Sequence, residues 1–233
     1  MAERSLLRST LCWSAVGLGL AAGTYAAYAG VTWSRYGRPA RPTKEEDDAL
    51  LDRFMPIYDV AERHRIDVAA PAAVTLSAAR QVDLFDDVVV RAVIRTREVI
   101  LGAEPADGAR LPGFLAQMRS IGWVVLAETP LEIVGGAVTR PWEANVTFRS
   151  IPAEQFADFN EPGYVKIAWT LRADTVGDAV SIFRTETRAV ATDLTAGAKF
   201  RRYWSFIAPG TFLIRRMMLG PVKATAERVS RGG

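Results

Sequence analysis

The spacing of apolar positions along this chain divides it into three regimes. From Leu11 to Trp33 there is no charged residue, and Arg8 and Arg35 bound the run. Tyr58, Val60, Glu62, His64, Ile66 and Val68 then alternate with Asp59, Ala61, Arg63, Arg65, Asp67 and Ala69. That period of two predicts a strand with one mainly apolar face. Between Thr192 and Glu227 the period is helical, through Phe200, Tyr203, Trp204, Ile207, Leu213, Ile214, Met217 and Met218, with Lys199, Arg201, Arg202, Arg215 and Arg216 between them. This predicts one long amphipathic helix with Asp193 as its N-cap. Pro209-Gly210 and Gly220-Pro221 are expected to bend or break it, because proline removes a backbone donor and crowds the preceding turn.

The middle of the chain supplies the remaining elements. A short helix is expected over Lys44 to Phe54, capped by Thr43, with Glu45 to Asp48 in its first turn. Pro71 opens a helix over Ala72 to Ala79, and Leu84 to Leu101 reads as a second helical segment. Gly102 to Pro112 reads as a loop. Strands follow over Gly122 to Glu128 and Glu132 to Arg140, joined as a hairpin by Thr129-Pro130-Leu131. Asn145 to Arg149, Tyr164 to Ala173 and Ala179 to Ala191 continue the run, with a turn over Asp174 to Asp178. Gly135-Gly136 within a strand is expected to mark a bulge or bend. The order is strand, two helices, antiparallel strands, long helix, which is an α+β arrangement.

Composition excludes several functions. The 233 residues are 49% hydrophobic and 24% charged, enough for one substantial core and an accessory segment. A net charge of +3, spread along the chain, leaves no footprint for nucleic acid. Cys12 is the only cysteine and His64 the only histidine, so neither a disulfide nor a thiolate or histidine-rich metal centre is expected. The chain carries no serine or cysteine nucleophile motif, P-loop or dinucleotide fingerprint, and no cofactor is called for.

Two readings fit the apolar start. As an anchor, Leu11 to Trp33 is long enough to cross the roughly 30 Å hydrocarbon layer. As a secretory signal, it has a basic beginning in Arg4 and Arg8 and a small-x-small site at Ala27-Tyr28-Ala29. The anchor is preferred because the run continues through Val31 to Trp33 and because Tyr25, Tyr28, Trp33 and Tyr36 suit a lipid–water boundary. Arg35, Arg38, Arg41 and Lys44 outweigh Arg4 and Arg8, which puts the following domain on the cytoplasmic side. The expected organisation is a membrane anchor over residues 1–36, a spacer with a short helix over 37–56, and one domain over 57–233. The oligomeric state is left open.

From Tyr58 to Arg228 the order of elements resembles the SRPBCC superfamily, the START-like or polyketide-cyclase-like helix-grip proteins. The run from Thr185-Glu186-Thr187-Arg188 through Phe200-Arg201-Arg202-Tyr203-Trp204 to Pro209-Gly210 and Ile214-Arg215-Arg216 is similar to that of membrane-anchored actinobacterial-type members. The resemblance implies a curved antiparallel sheet around a long C-terminal helix, two short helices between the first two strands, and an apolar cup for a hydrophobic small molecule such as a lipid, isoprenoid or polyketide. It carries over no catalytic residue. Within such a cup, Trp123, Tyr203, Trp204, Ile207 and Met217 are the expected ligand contacts, and core packing is the alternative for each. Alternate residues share a strand face, so Glu62 and His64 point with Val60 and Ile66, and Arg184, Glu186 and Arg188 point together on the last strand. If those two sets meet inside the cup, His64, Glu62 and Glu186 become candidates for acid–base chemistry of a cyclase or dehydratase type; otherwise they form a cross-strand ion-pair ladder. Binding, catalysis, and an interaction domain with a filled core remain the three functional classes.

Overall fold

The computed structural model describes residues 23–83, 87–103 and 111–232. Helix α1 occupies 23–35, followed by α2 (Ala49–Asp52), β1 (Val60–Val68), α3 (Ala72–Gln81), α4 (Val88–Leu101) and α5 (Phe114–Ser120). Then come β2 (Val124–Glu128), β3 (Glu132–Thr139), β4 (Phe148–Arg149), α6 (Ala153–Phe156), β5 (Val165–Gly177), β6 (Val180–Ala191) and α7 (Leu194–Gly232). The strands form one antiparallel six-stranded sheet in the order β1-β6-β5-β3-β2, with β4 paired to β3. Among the described residues three helices, rather than the expected two, separate β1 from β2; α5 lies beyond the expected Gly102–Pro112 loop, and its seven residues are too few to show a helical period.

Both sheet faces are covered, and their assignment follows from the register. Glu62 stands opposite Thr187, which stands opposite Trp169, which stands opposite Gly135. These residues, with the neighbouring row His64, Thr185, Leu171 and Ile133, face α3, α5 and α7. The other face carries Arg63, Glu186, Thr170 and Val134 in one row and Arg65, Arg184, Arg172 and Glu132 in the next. The segment from Pro39 to Tyr58, including α2, lies over this second face, with Leu51, Phe54 and Met55 packed on Val134, Val138 and Ala168.

The strand glycines permit close packing rather than a bend. A Cβ on Gly135 would overlap the Trp169 indole, and one on Gly136 would lie 2.6 Å from Leu126 and 2.8 Å from Phe156. The bulge expected at these glycines sits instead in β2, between Val125 and Ala127.

Helix α7 continues through Pro209 and Pro221, so of the expected bend or break, no break occurs at either proline. Each proline removes one backbone donor, but Ala208, Met218, Leu219 and Val222 are buried beside them, and this packing holds the axis together. Asp193 does cap it: Oδ1 accepts from the backbone N–H of Thr195 at 2.7 Å and of Ala196 at 3.0 Å. Those bonds and one from Gly163 hold the Asp193 carboxyl below the usual carboxylate range.

Several boundaries differ from expectation. The early helix is only α2, capped by Asp48 rather than Thr43, with Asp48 Oδ1 accepting from Leu51 N at 2.7 Å. Glu46 N instead bonds Thr43 O in a preceding turn. Asp174 to Gly177 are strand, because Asp174 and Thr175 keep pairing with Ile182 and Ser181. The strand expected over Asn145 to Arg149 pairs only at Phe148 and Arg149. Among the described residues no helix is long and apolar enough to cross a membrane. Of the expected span, 11–22 lies outside the described residues and 23–33 is helical.

Candidate functional site

The sheet separates the two halves of the expected polar cluster. Glu62 and His64 lie on the face under α7, whereas Glu186, Arg184 and Arg188 lie on the opposite face under the Pro39–Tyr58 segment. His64 and Glu186 therefore share no site. Alternation fixes which residues of one strand point together, but only the pairing Arg63↔Glu186 decides how one strand's faces align with its neighbour's.

On the second face the ladder is buried rather than exposed. Glu186 Oε1 accepts from Arg63 Nη2 at 2.8 Å and from Arg188 Nε at 2.7 Å. Arg188 is 1% exposed and also donates to Met55 O at 2.8 Å and to Asp52. Its guanidinium lies over the Tyr58 ring, 4.6 Å from the centroid. Next to it Arg172 donates to the carbonyls of Asp47 and Glu45 at 2.8 and 3.0 Å, pinning the same segment. Burial, with Asp48 as hydrogen-bond partner and like charge, raises the Glu132 carboxyl to about 8, against the opposing pull of Thr170 and Arg172. This face is a structural clamp in which the charged groups are paired with one another, although Arg63 Nε stays buried without a hydrogen-bond partner.

The cup face is different. Between α7, α4 and the sheet lies a cavity of about 180 Å³, walled by Trp123, Phe148, Ile167, Phe200, Tyr203 and Trp204. Val60 and Trp204 also line a second cavity of about 610 Å³, which is bounded on its far side by Tyr28, Val31 and Arg35 of α1. Trp204 thus stands between an inner and an outer compartment. Polar groups at the inner cavity are few: Thr187 on the sheet, Thr211 and Arg215 on α7, and Arg97 on α4. Arg97 is already held, donating to Tyr203 Oη, Pro141 O and Glu143 O at 3.2 Å each. Thr187 Oγ1 and Arg215 Nη1 are buried without a hydrogen-bond partner. Burial lowers Arg215 to about 10, with Glu62 acting the other way, so it is charged at neutral pH.

His64 and Glu62 are adjacent, Nε2 to Oε2 at 3.9 Å, but neither lines the inner cavity. His64 packs against Phe212, ring centroids 4.9 Å apart. Its burial, and then the charges of Arg215 and Arg216, lower it to about 4, so the imidazole is neutral near pH 7. Burial also raises the Glu62 carboxyl.

Of the expected ligand contacts, Trp123, Tyr203 and Trp204 line the inner cavity, and Ile207 and Met217 do not. At about 100° per residue, position 217 falls roughly 140° from 204 around the helix, and 207 roughly 60°. Thr211 and Arg215, seven and eleven residues on, return to within about 20° of Trp204. Neither Arg215 nor Thr187 is among the expected contacts, because Arg215 lies among the charged residues between the apolar positions of α7 and Thr187 alternates with the charged residues of β6. The three-turn spacing of Trp204 and Arg215 was the signal for the first.

No family model matches this chain, and no curated protein does. Among solved structures, a hypothetical protein from Helicobacter pylori is 7% identical, with 80% of this chain and 99% of that chain covered, at a TM-score of 0.39. The di-domain ARO/CYC BexL from the BE-7585A biosynthetic pathway is 16% identical, over 72% of this chain and 46% of that chain, at 0.25. The Zhui aromatase/cyclase from Streptomyces sp. R1128 is 12% identical, over 72% of this chain and 93% of that chain, at 0.21. The chain therefore spans less than half of BexL. Likenesses this loose carry no argument about activity, and the site is argued from its own geometry.

Proposed function

We propose that this domain binds a small hydrophobic molecule in the cup beneath α7. The observation that carries the reading is the inner cavity itself, aromatic-walled and about 180 Å³ in volume, with polar atoms left unpaired at its edge. A dry cavity of roughly 150 Å³ accommodates a benzene ring, so the inner compartment takes about one ring or a short chain. A longer lipid, isoprenoid or polyketide body would continue past Trp204 into the outer compartment. A filled interaction domain would have no such space. A cyclase- or dehydratase-type reaction would need an acid–base pair at the cavity wall, whereas Glu62 borders only the outer compartment and His64 borders neither.

The reading includes a membrane tether. Support comes from the uncharged run before Arg35, and from the packing of α1 on α7: Tyr25 Oη donates to Phe206 O, and Arg201 Nε donates to Trp33 O at 3.1 Å. Phe206, Phe212 and Leu213 are exposed on the same stretch of α7, which suits a position at the bilayer surface. The basic residues after the run, Arg35, Arg38, Arg41 and Lys44, support a cytoplasmic side for the domain.

The test is mass spectrometry of organic extracts from the purified full-length chain. A stoichiometric apolar species is expected, and it should be lost in Ala189→Leu, which fills the inner cavity. A native chain that carries no such species and takes up no hydrophobic probe would refute the reading.

A further inference from the structure

The cup contains a guanidinium, that of Arg215, whose Nη1 has no hydrogen-bond acceptor among the described residues. Arg215 reaches the inner cavity from α7, and this nitrogen is buried there. Thr187 lies on the facing sheet wall, with Oγ1 equally buried and unpartnered. Glu62, opposite Thr187 on β1, attracts Arg215 electrostatically but makes neither a hydrogen bond nor a salt bridge with it, and its own carboxyl is raised by burial. The other groups around Arg215 do not help: His64 is buried against Phe212, and Arg216 carries the same charge. Buried N–H and O–H groups are nearly always paired, and leaving a charged donor without an acceptor forfeits the interactions that water would give it. Two such atoms bordering one cavity indicate that the missing acceptor belongs to what fills it.

We infer that the bound molecule is a hydrophobic carboxylic acid, its carboxylate accepting from Arg215 and Thr187 and its apolar body lying against Trp123, Phe148 and Trp204. The inference rests on the binding reading above and sharpens it to a ligand class. A carboxylate matches the guanidinium in charge and geometry, and it presents enough lone pairs to take the threonine hydroxyl as well. A neutral molecule of the same shape fills the cavity but offers Arg215 Nη1 a weaker, uncharged acceptor.

The discriminating measurement is isothermal titration of the full-length chain in amphipol with 4-methylbenzoate and with its neutral isostere 4-methylbenzamide. The carboxylate is expected to bind about tenfold more tightly or better, the usual scale for a charged hydrogen bond. In Arg215→Met the two should bind within about twofold of each other, while Arg215→Lys keeps part of the preference and Thr187→Val weakens it. Should Arg215→Met fail to fold, as judged by circular dichroism, Arg215→Gln carries the same comparison. Equal binding of both probes to the native chain, or an undiminished preference after Arg215 is neutralised, overturns the inference and leaves hydrophobic binding standing. Failure of the native chain to bind either probe overturns the binding reading itself, and this inference with it.

Discussion

Gly135→Ala tests how the floor of the cup is built. Gly135 faces Trp169 across the β3–β5 pairing, and a methyl group there would overlap Cζ2, Cε2 and Cη2 of the indole. The ring has nowhere to retreat: it is 1% exposed, meets Phe114 edge-on at 5.0 Å between centroids, and lies 6.3 Å from Trp123. Overpacking a dense core costs about 1–3 kcal/mol, and overlap with three atoms of one rigid ring belongs at the upper end. Alanine recovers about 0.4–1 kcal/mol by restricting the unfolded chain, which leaves a net loss of about 2 kcal/mol. For a chain of this size that corresponds to a fall of roughly 4–8 °C in Tm. Gly177→Ala is the control, since nothing lies within 4 Å of its added methyl group and its backbone is ordinary; its Tm should hold or rise slightly. Thermal melts of the full-length chain followed by near-UV circular dichroism report both. Partial rescue of Gly135→Ala by Trp169→Phe would confirm that the indole is the obstacle. Equal melting of Gly135→Ala and Gly177→Ala would refute the packing argument.

Four further outcomes are expected. His64 should stay neutral well below the ordinary histidine range, since burial lowers it to about 4, so its single imidazole NMR signal should not titrate between pH 7 and 5.5. Because its folded value lies below the unfolded one, its contribution to stability is present above about pH 6.5 and is lost as pH falls toward 4; a normal titration would contradict the burial. Glu132 has the opposite sign: raised to about 8, it favours the fold most below about pH 4.5 and progressively less as pH rises through 8, so Glu132→Gln should flatten stability between pH 6 and 9. Arg188→Ala, which strips a partner from buried Glu186, should cost about 3–5 kcal/mol in denaturant melts, whereas Arg95→Ala, at an exposed i,i+3 pair with Glu98, should cost under about 1 kcal/mol. Alkaline carbonate should leave the full-length chain in the membrane fraction and release a chain lacking residues 1–36, and a mature N-terminus at Gly30 would instead establish cleavage.

The local periods in the sequence were enough to locate β1, β3, β5, β6 and α7, because a strand with one covered face must alternate and a helix across a sheet must keep an apolar stripe. They also sufficed to place Asp193 at a helix start, while Trp123, Tyr203 and Trp204 became candidate cup residues only through the family resemblance. Short elements escaped: α5 and α6 span too few residues to show a period, and Asp174 to Gly177 look like a turn until β6 pairs with them. That α7 continues through its prolines was not visible for a related reason, since the cost of one missing donor can be read in sequence while the packing that offsets it cannot.

Alternation within each strand determined from sequence alone that Glu62 travels with His64, and Glu186 with Arg184 and Arg188. Only the register of β1 against β6 decided that these sets lie on opposite sides of the sheet, because one residue of slip exchanges the faces and no single strand encodes its neighbour's phase. The same holds for the cup. The helical period put Trp204, Thr211 and Arg215 on one line, but whether that line met water, a salt bridge or an unfilled cavity depended on what the sheet brought opposite it, and it brought Thr187.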